Sequence, residues 1–161
     1  MSDELLQLKN IEEKLVSRKL LIITIGSSAS IHLLRGIASK KPGILFDNEF
    51  AIVETNKDML EIAIEALSAT YQNFYAYRAG VQPEKMKGFP TTTFKHRLIQ
   101  NSILINHSGG ATTPEFGLRY YTEHRNLVLT RISKIFRESK CNGILVIGSA
   151  GKGTGSLVTP A

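Results

Sequence analysis

The sequence predicts an α/β domain, a mostly parallel sheet flanked by helices, and three observations point there. The runs Leu20–Ile25, Phe50–Val53, Ile103–Ile105 and Ile144–Ile147 are short and almost wholly apolar, the pattern of strands covered on both faces. Stretches with helical spacing separate them. Each run also ends in a loop of small or polar residues, as expected where strands deliver their carboxyl ends to a common edge.

The 161 residues and 42% hydrophobic content suit a single domain with a sizeable core, taken here as residues 1–161. A net charge of +6 favours anionic partners without choosing between nucleotide, nucleic acid and membrane surface. Cys141 is the only cysteine, which excludes an intrachain disulfide and reads as a small half-buried residue before a strand. The N-terminus is too charged for a secretory signal, and no apolar run nears the roughly 20 residues of a membrane span. A soluble cytoplasmic protein without membrane insertion is the expectation.

In chain order, Ser2 or Asp3 can cap a first helix over residues 1–18, with Leu5, Leu8, Ile11 and Leu15 roughly on one face. It is expected to pack at the edge of the domain. The strand Leu20–Ile25 stops at Gly26-Ser27-Ser28-Ala29-Ser30, and a helix from about Ser28 to Ser39 follows, closed by Pro42-Gly43. A turn of this kind can hold an anion, since the first N–H groups of a helix are unpaired and its dipole is positive there. It serves equally as an ordinary serine cap.

Phe50–Val53 leads through Glu54, Thr55 and Asn56 to a helix from about Asp58 to Ser68, with Met59, Ile62, Ala63 and Leu67 predicted on its buried face. From Tyr71 to Gln100 aromatic residues come first and basic ones later. That order favours a packed edge followed by a solvated loop over a stacking surface for single-stranded nucleic acid. After Ile103–Ile105 the loop Asn106–Gly117 precedes a helix from Pro114 to about Ser139. Pro114 and Glu115 suit its first turn. Its apolar stripe is read as Phe116, Tyr120, Leu127, Val128, Ile132, Ile135 and Phe136, with His124 beside it as a packing residue. His32, His96, His107 and His124 have no metal-ligand spacing among themselves or with Cys141, so no transition-metal site is expected.

The last strand opens into Gly148-Ser-Ala-Gly151-Lys152-Gly153-Thr154-Gly155-Ser156. Glycines at this spacing let main-chain N–H groups approach a ligand closely, which makes an anion cradle. A ligand-free glycine-rich turn has the same composition. A Walker A loop does not fit, because Val146 stands where its first glycine belongs and Gly153 where its hydroxyl belongs.

The run from Gly148 resembles the Gly-Gly-Gly-Thr-Gly-Ser/Thr-Gly loop of the tubulin and FtsZ superfamily, with Lys152 at the middle glycine. Gly109-Gly110-Ala111-Thr112-Thr113-Pro114-Glu115-Phe116-Gly117 resembles the Gly-Ala-Gly-Ala-Asn-Pro-Glu-x-Gly loop of FtsZ, with Gly109, Pro114, Glu115 and Gly117 identical and Ala111 at a glycine position. Val53 and Thr55 agree in type with the Val-Asn-Thr-Asp turn of that family, and Gly117–Glu123 is similar to the Gly-His-Tyr-Thr-Glu of tubulin. Ser27, Ser28 and Ala29 replace a run of glycines. The loops come in the family's order, and the resemblance covers about Lys19 to Ala161.

The resemblance implies a Rossmann-like nucleotide-binding domain, here the N-terminal half of a tubulin/FtsZ-type GTPase domain, on the TubZ-like branch. It implies GTP or GDP with Mg²⁺ as ligands and, as partners, further copies of the chain in head-to-tail cytoskeletal filaments, with a DNA-bound or membrane adaptor. The nucleotide-binding set it implies is Gly26, Ser27, Ser28, Ala29, Thr55, Gly109, Gly110, Ala111, Thr112, Gly148, Gly151, Lys152, Gly153, Thr154, Gly155 and Ser156. Within it, the family's loop at Gly109–Thr112 senses the γ-phosphate. No catalytic residue is implied, because the family's acidic hydrolysis loop lies downstream of the glycine-rich motif, so nucleotide binding with little hydrolysis is expected. An ATP-binding P-loop-like kinase fragment and a degenerate, non-catalytic assembly or scaffold protein are the other readings.

Overall fold

The computed structural model describes residues 19–85, 91–105 and 113–148. The predicted N-terminal helix over residues 1–18 and most of the two glycine-rich loops lie outside these residues. Four strands, β1 (Leu20–Ile25), β2 (Glu49–Glu54), β3 (Ile103–Leu104) and β4 (Gly143–Gly148), form one sheet in the order β3-β2-β1-β4, with every pairing parallel. This is the α/β, Rossmann-like class that the apolar runs predict.

Between β1 and β2 the chain winds as a π-helix, Ala29–Leu34, that continues into α1 (Arg35–Lys40), and then forms α2 (Gly43–Asp47). Helices α3 (Lys57–Ala79) and α4 (Thr91–Asn101) join β2 to β3, and α5 (Pro114–Glu138) joins β3 to β4. One face of the sheet buries Ile22, Phe50 and Ile52 against Leu34, Leu45, Leu60, Leu67, Phe94 and Leu98. The other buries Leu21, Ile23, Ala51 and Val53 beneath Tyr121, Val128 and Ile135 of α5. Both layers follow from the alternation of side chains along β1 and β2, which leaves neither strand a solvated face.

Helix α3 starts at Asn56, whose side-chain oxygen accepts the N–H of Met59 at 3.0 Å, and ends at Gly80, whose φ of 68° is a left-handed stop. It runs 23 residues, well past the predicted end near Ser68. The reason is a core-facing row that continues through Leu60, Ala63, Ile64, Leu67 and Tyr71. Met59 and Ile62, predicted on that row, are 37% and 51% exposed.

In the stretch predicted as a packed edge and solvated loop, Tyr71, Phe74 and Tyr75 do pack on the core, but from the last turns of α3, and Thr91–Gln100 is helical, as part of α4, rather than a loop. Phe94 stacks on Tyr71 with ring centroids 4.2 Å apart and meets Phe50 edge-on at 5.9 Å. Lys95 pairs with Glu65 across the same seam. Of the basic residues read as a loop, Lys95 and Arg97 thus lie on a helix that Phe94 packs against α3 and β2, and Arg97 reaches the buried Glu49 at 3.5 Å.

Helix α5 matches its predicted span within a residue, but its buried row is Gly117, Tyr121, Val128 and Ile135. Phe116 and Leu127, predicted on the stripe, are exposed, while Tyr120, Ile132 and Phe136 flank the core. The Nδ1 of His124 lies 2.9 Å from the Tyr120 carbonyl one turn back, the packing role expected for it. Strand β4 also departs from expectation: Ile144, Leu145 and Val146 are 51%, 38% and 42% exposed. Among the described residues β4 is the outer strand beside β1, so an apolar run that looks doubly buried has little cover.

The revised face of α3 gives a direct test. Leu67→Ala should lower stability by about 2–5 kcal/mol in urea unfolding, whereas Ile62→Ala, half exposed on the same helix, should shift it by less than about 1 kcal/mol.

Candidate functional site

The carboxyl edge of the sheet is set by register. Ile25 pairs with Val53 on one side and with Gly148 on the other, so the turn after β1, the strand end at Glu54 and the start of the glycine-rich loop stand side by side. The chain moves outward from β1 to β2 to β3, then crosses back to place β4 on the opposite side of β1. This reversal makes the carboxyl ends of β1 and β4 the topological switch point, where open parallel sheets form a crevice.

Gly26 has a φ of 82°, a left-handed conformation, and donates its N–H to the Val53 carbonyl at 2.9 Å. The turn thus bends away from β1 toward β2. Its carbonyl then accepts the N–H of Ala29 at 3.1 Å as the π-helix begins. Helices wound this way are rare and recur beside functional sites. Ala29 is fully buried, Ser27 nearly so, and Ser28 half-buried. Ser30, also fully buried, shares a 2.6 Å hydrogen bond between its hydroxyl and that of Thr24, which satisfies the one polar side chain of β1.

An anion already sits at this turn. The carboxylate of Glu54, only 4% exposed, accepts the main-chain N–H of Ser27 at 2.5 Å through Oε2 and that of Thr55 at 2.7 Å through Oε1. The Thr55 hydroxyl reaches the same Oε1 at 3.3 Å. The Ser27 N–H that the resemblance assigns to phosphate is therefore held by the chain itself. Thr55, assigned to the same ligand, is buried against Glu54. The turn does favour a negative group, as helix starts do, but an internal one fills it.

Of the remaining assigned residues, Gly148 closes β4 at the switch point. Gly109, Gly110, Ala111 and Thr112, and Gly151, Lys152, Gly153, Thr154, Gly155 and Ser156, lie outside the described residues. Thr113, the cap residue before α5, follows immediately after the first of these groups. Hydrogen bonds from the Thr113 hydroxyl and from its own N–H hold the Glu115 carboxyl below the usual range. Glu54 is the residue that sequence reasoning missed. Its one signal is an acid placed directly after the apolar run Phe50–Val53, where a loop residue would ordinarily face water.

Away from this edge, a shallow hollow of about 320 Å³ lies between α4 and α5, lined by Gln100, Asn101, Arg131, Lys134, Ile135 and Glu138. Among the described residues, no group of three or more His, Cys, Asp or Glu could hold a metal ion, and no helix is long and apolar enough to cross a membrane. Burial pushes the Cys141 thiol up, with nearby Lys19 opposing and Glu49 reinforcing the shift.

The fold and this edge define a parallel α/β domain whose topological switch point lies between β1 and β4. No family model, curated protein or solved structure matches the chain.

Two outcomes are expected. Glu54→Ala leaves the Ser27 and Thr55 N–H groups without that acceptor and should cost about 2–4 kcal/mol by denaturant unfolding, while Glu61→Ala on the exposed face of α3 should change little. A raised thiol pKa leaves less thiolate at any given pH and burial limits access, so iodoacetamide should modify Cys141 more slowly than a free cysteine at pH 8, and unfolding in urea should abolish the difference.

Proposed function

We propose that the crevice between β1 and β4 binds a guanine nucleotide with Mg²⁺, and that the chain is a tubulin/FtsZ-like nucleotide-binding protein that assembles head to tail. The observation that carries this reading is the register of Gly148 beside Ile25, which sets the start of the glycine-rich loop at the switch point of a parallel sheet. A glycine-rich loop leaving that point supplies main-chain N–H groups where such sheets take phosphate. The loop order along the sequence and the Gly109–Gly117 match support the choice of family.

The phosphates are assigned to the β4 side, to Gly151, Gly153, Thr154, Gly155 and Ser156, with Gly109, Gly110 and Thr112 toward the terminal phosphate. The Gly26–Ala29 turn is assigned a supporting role, since Glu54 holds its Ser27 N–H. A bound Mg²⁺ would screen phosphate charge. Lys152 contributes a cation in the same loop. Hydrolysis is not assigned to any residue of this chain.

The occupied β1 turn favours a second reading, a non-catalytic assembly protein that has given up nucleotide. The two separate cleanly. Fluorescent GTP should bind the chain and be displaced by GTP at least tenfold more effectively than by ATP, with Gly153→Val weakening binding tenfold or more through loss of close backbone approach. ATP displacing as well as GTP would move the assignment to a P-loop-like site. Filaments without measurable nucleotide binding would establish the second reading. Lys152→Gly should weaken affinity several-fold if the lysine meets phosphate, and unchanged affinity would remove that role.

A further inference from the structure

Exposed apolar side chains of α5 and β4 lie on one side of the sheet, where a helix packed beside an outer strand leaves a groove. Leu21 pairs with Ile144 and Ile23 with Val146, and partners in register point to the same side of a sheet. Leu21 and Ile23 lie in the core beneath α5, so Ile144 and Val146 are on the α5 face. On α5, at about 100° per residue, Leu118 and Leu129 stand roughly 80–100° round from buried Val128 in one direction and Arg131 about 60° in the other. Arg131 donates from Nη2 to the carbonyls of Gln100 and Ser102 at 2.9 and 3.2 Å, which fixes that flank toward β3. Leu118 and Leu129 therefore turn toward β4. These two and the two β4 residues are between 42% and 51% exposed and lie on one side of the sheet, with exposed Arg125 between Leu118 and Leu129 along the same flank of α5.

The chain holds a segment suited to cover it. Residues 2–18 carry Leu5, Leu8, Ile11 and Leu15 at helical spacing, among seven charged residues. The segment ends at Lys19, whose carbonyl accepts the N–H of Asn142 at 3.0 Å, one residue before β4 begins. Its attachment is thus at the foot of the groove. A helix of about 15 residues spans roughly 22 Å, enough to cover a six-residue strand of about 20 Å. Tethering supplies an effective concentration on the order of millimolar, so a weak apolar contact suffices and a second copy competes poorly.

We propose that residues 2–18 dock as an amphipathic helix in the groove between α5 and β4, placing Leu5, Leu8, Ile11 and Leu15 against Leu118, Leu129, Ile144 and Val146. The docked helix covers the strand that leads into the glycine-rich loop and holds it against β1. This assignment is independent of what the loop binds.

Hydrogen exchange on the full chain tests it. Amides of residues 5–15 should exchange at least tenfold more slowly than in a synthetic peptide of residues 1–18. Leu129→Asp or Leu118→Asp, both on the exposed flank of α5, should return them to the peptide rate while α3 keeps its protection, which shows that the fold is intact. Peptide-rate exchange in the parent chain would overturn the proposal. So would protection that neither variant moves, or protection that falls on dilution together with a dimer mass in light scattering, which would give the groove to a second copy.

Discussion

Strand β1 constrains everything else. Five of its six residues are buried, it lies between β2 and β4 in the sheet, and its two faces carry separate cores. A strand so covered tolerates a polar side chain only when that group is paired inside, and Thr24 meets the condition through the Ser30 hydroxyl. That contact ties the π-helix to the strand it follows. The outward run to β3 and the return to β4 both start from this one strand, so its carboxyl end is where the direction of winding reverses.

The two buried carboxylates of β2 show how differently the two ends of a parallel sheet treat charge. Glu49, at the amino end, is 6% exposed and is met by Lys19 at 3.4 Å, Arg97 at 3.5 Å and the Asn101 amide at 3.0 Å. Glu54, at the carboxyl end, is held by main-chain N–H groups of the turns that leave β1 and β2. Helices present unpaired carbonyls to the amino edge and unpaired N–H groups to the carboxyl edge. The acid at the first edge is met by side-chain cations, whereas main-chain N–H groups hold the acid at the second.

Much of this was legible in the sequence where one residue class decides the outcome. Unbroken apolar runs located all four strands, and Pro114 with Glu115 marked the start of α5. What failed were judgements that depend on neighbours. Ile144–Ile147 looks the same whether or not something covers it. Helix α4 shows only Phe94 and Leu98 to the main core, so its polar composition concealed it until the Tyr71 ring was seen stacked on Phe94. The stripes of α3 and α5 were misread by a residue or so, because flanking positions such as Ile62 and Leu127 are apolar without being buried. Glu54 illustrates the limit best: nothing local tells an acid that faces water from one that folds back onto an N–H group contributed 27 positions earlier.

That folded-back acid also bears on how a nucleotide would lie in the crevice. Two negative groups about 4 Å apart repel by roughly 4 kcal/mol at the effective dielectric of a protein surface, and a phosphate proposed over the Gly26–Ala29 turn would compete with Glu54 for the Ser27 N–H. Beyond β4 the sequence supplies Lys152, at a position where the resembled loop has glycine. Glu54 held at the β1 turn and Lys152 beyond β4 act on a phosphate with opposite sign. On the proposed nucleotide-binding reading, the two together favour phosphate on the side of β1 shared with β4 over the side shared with β2.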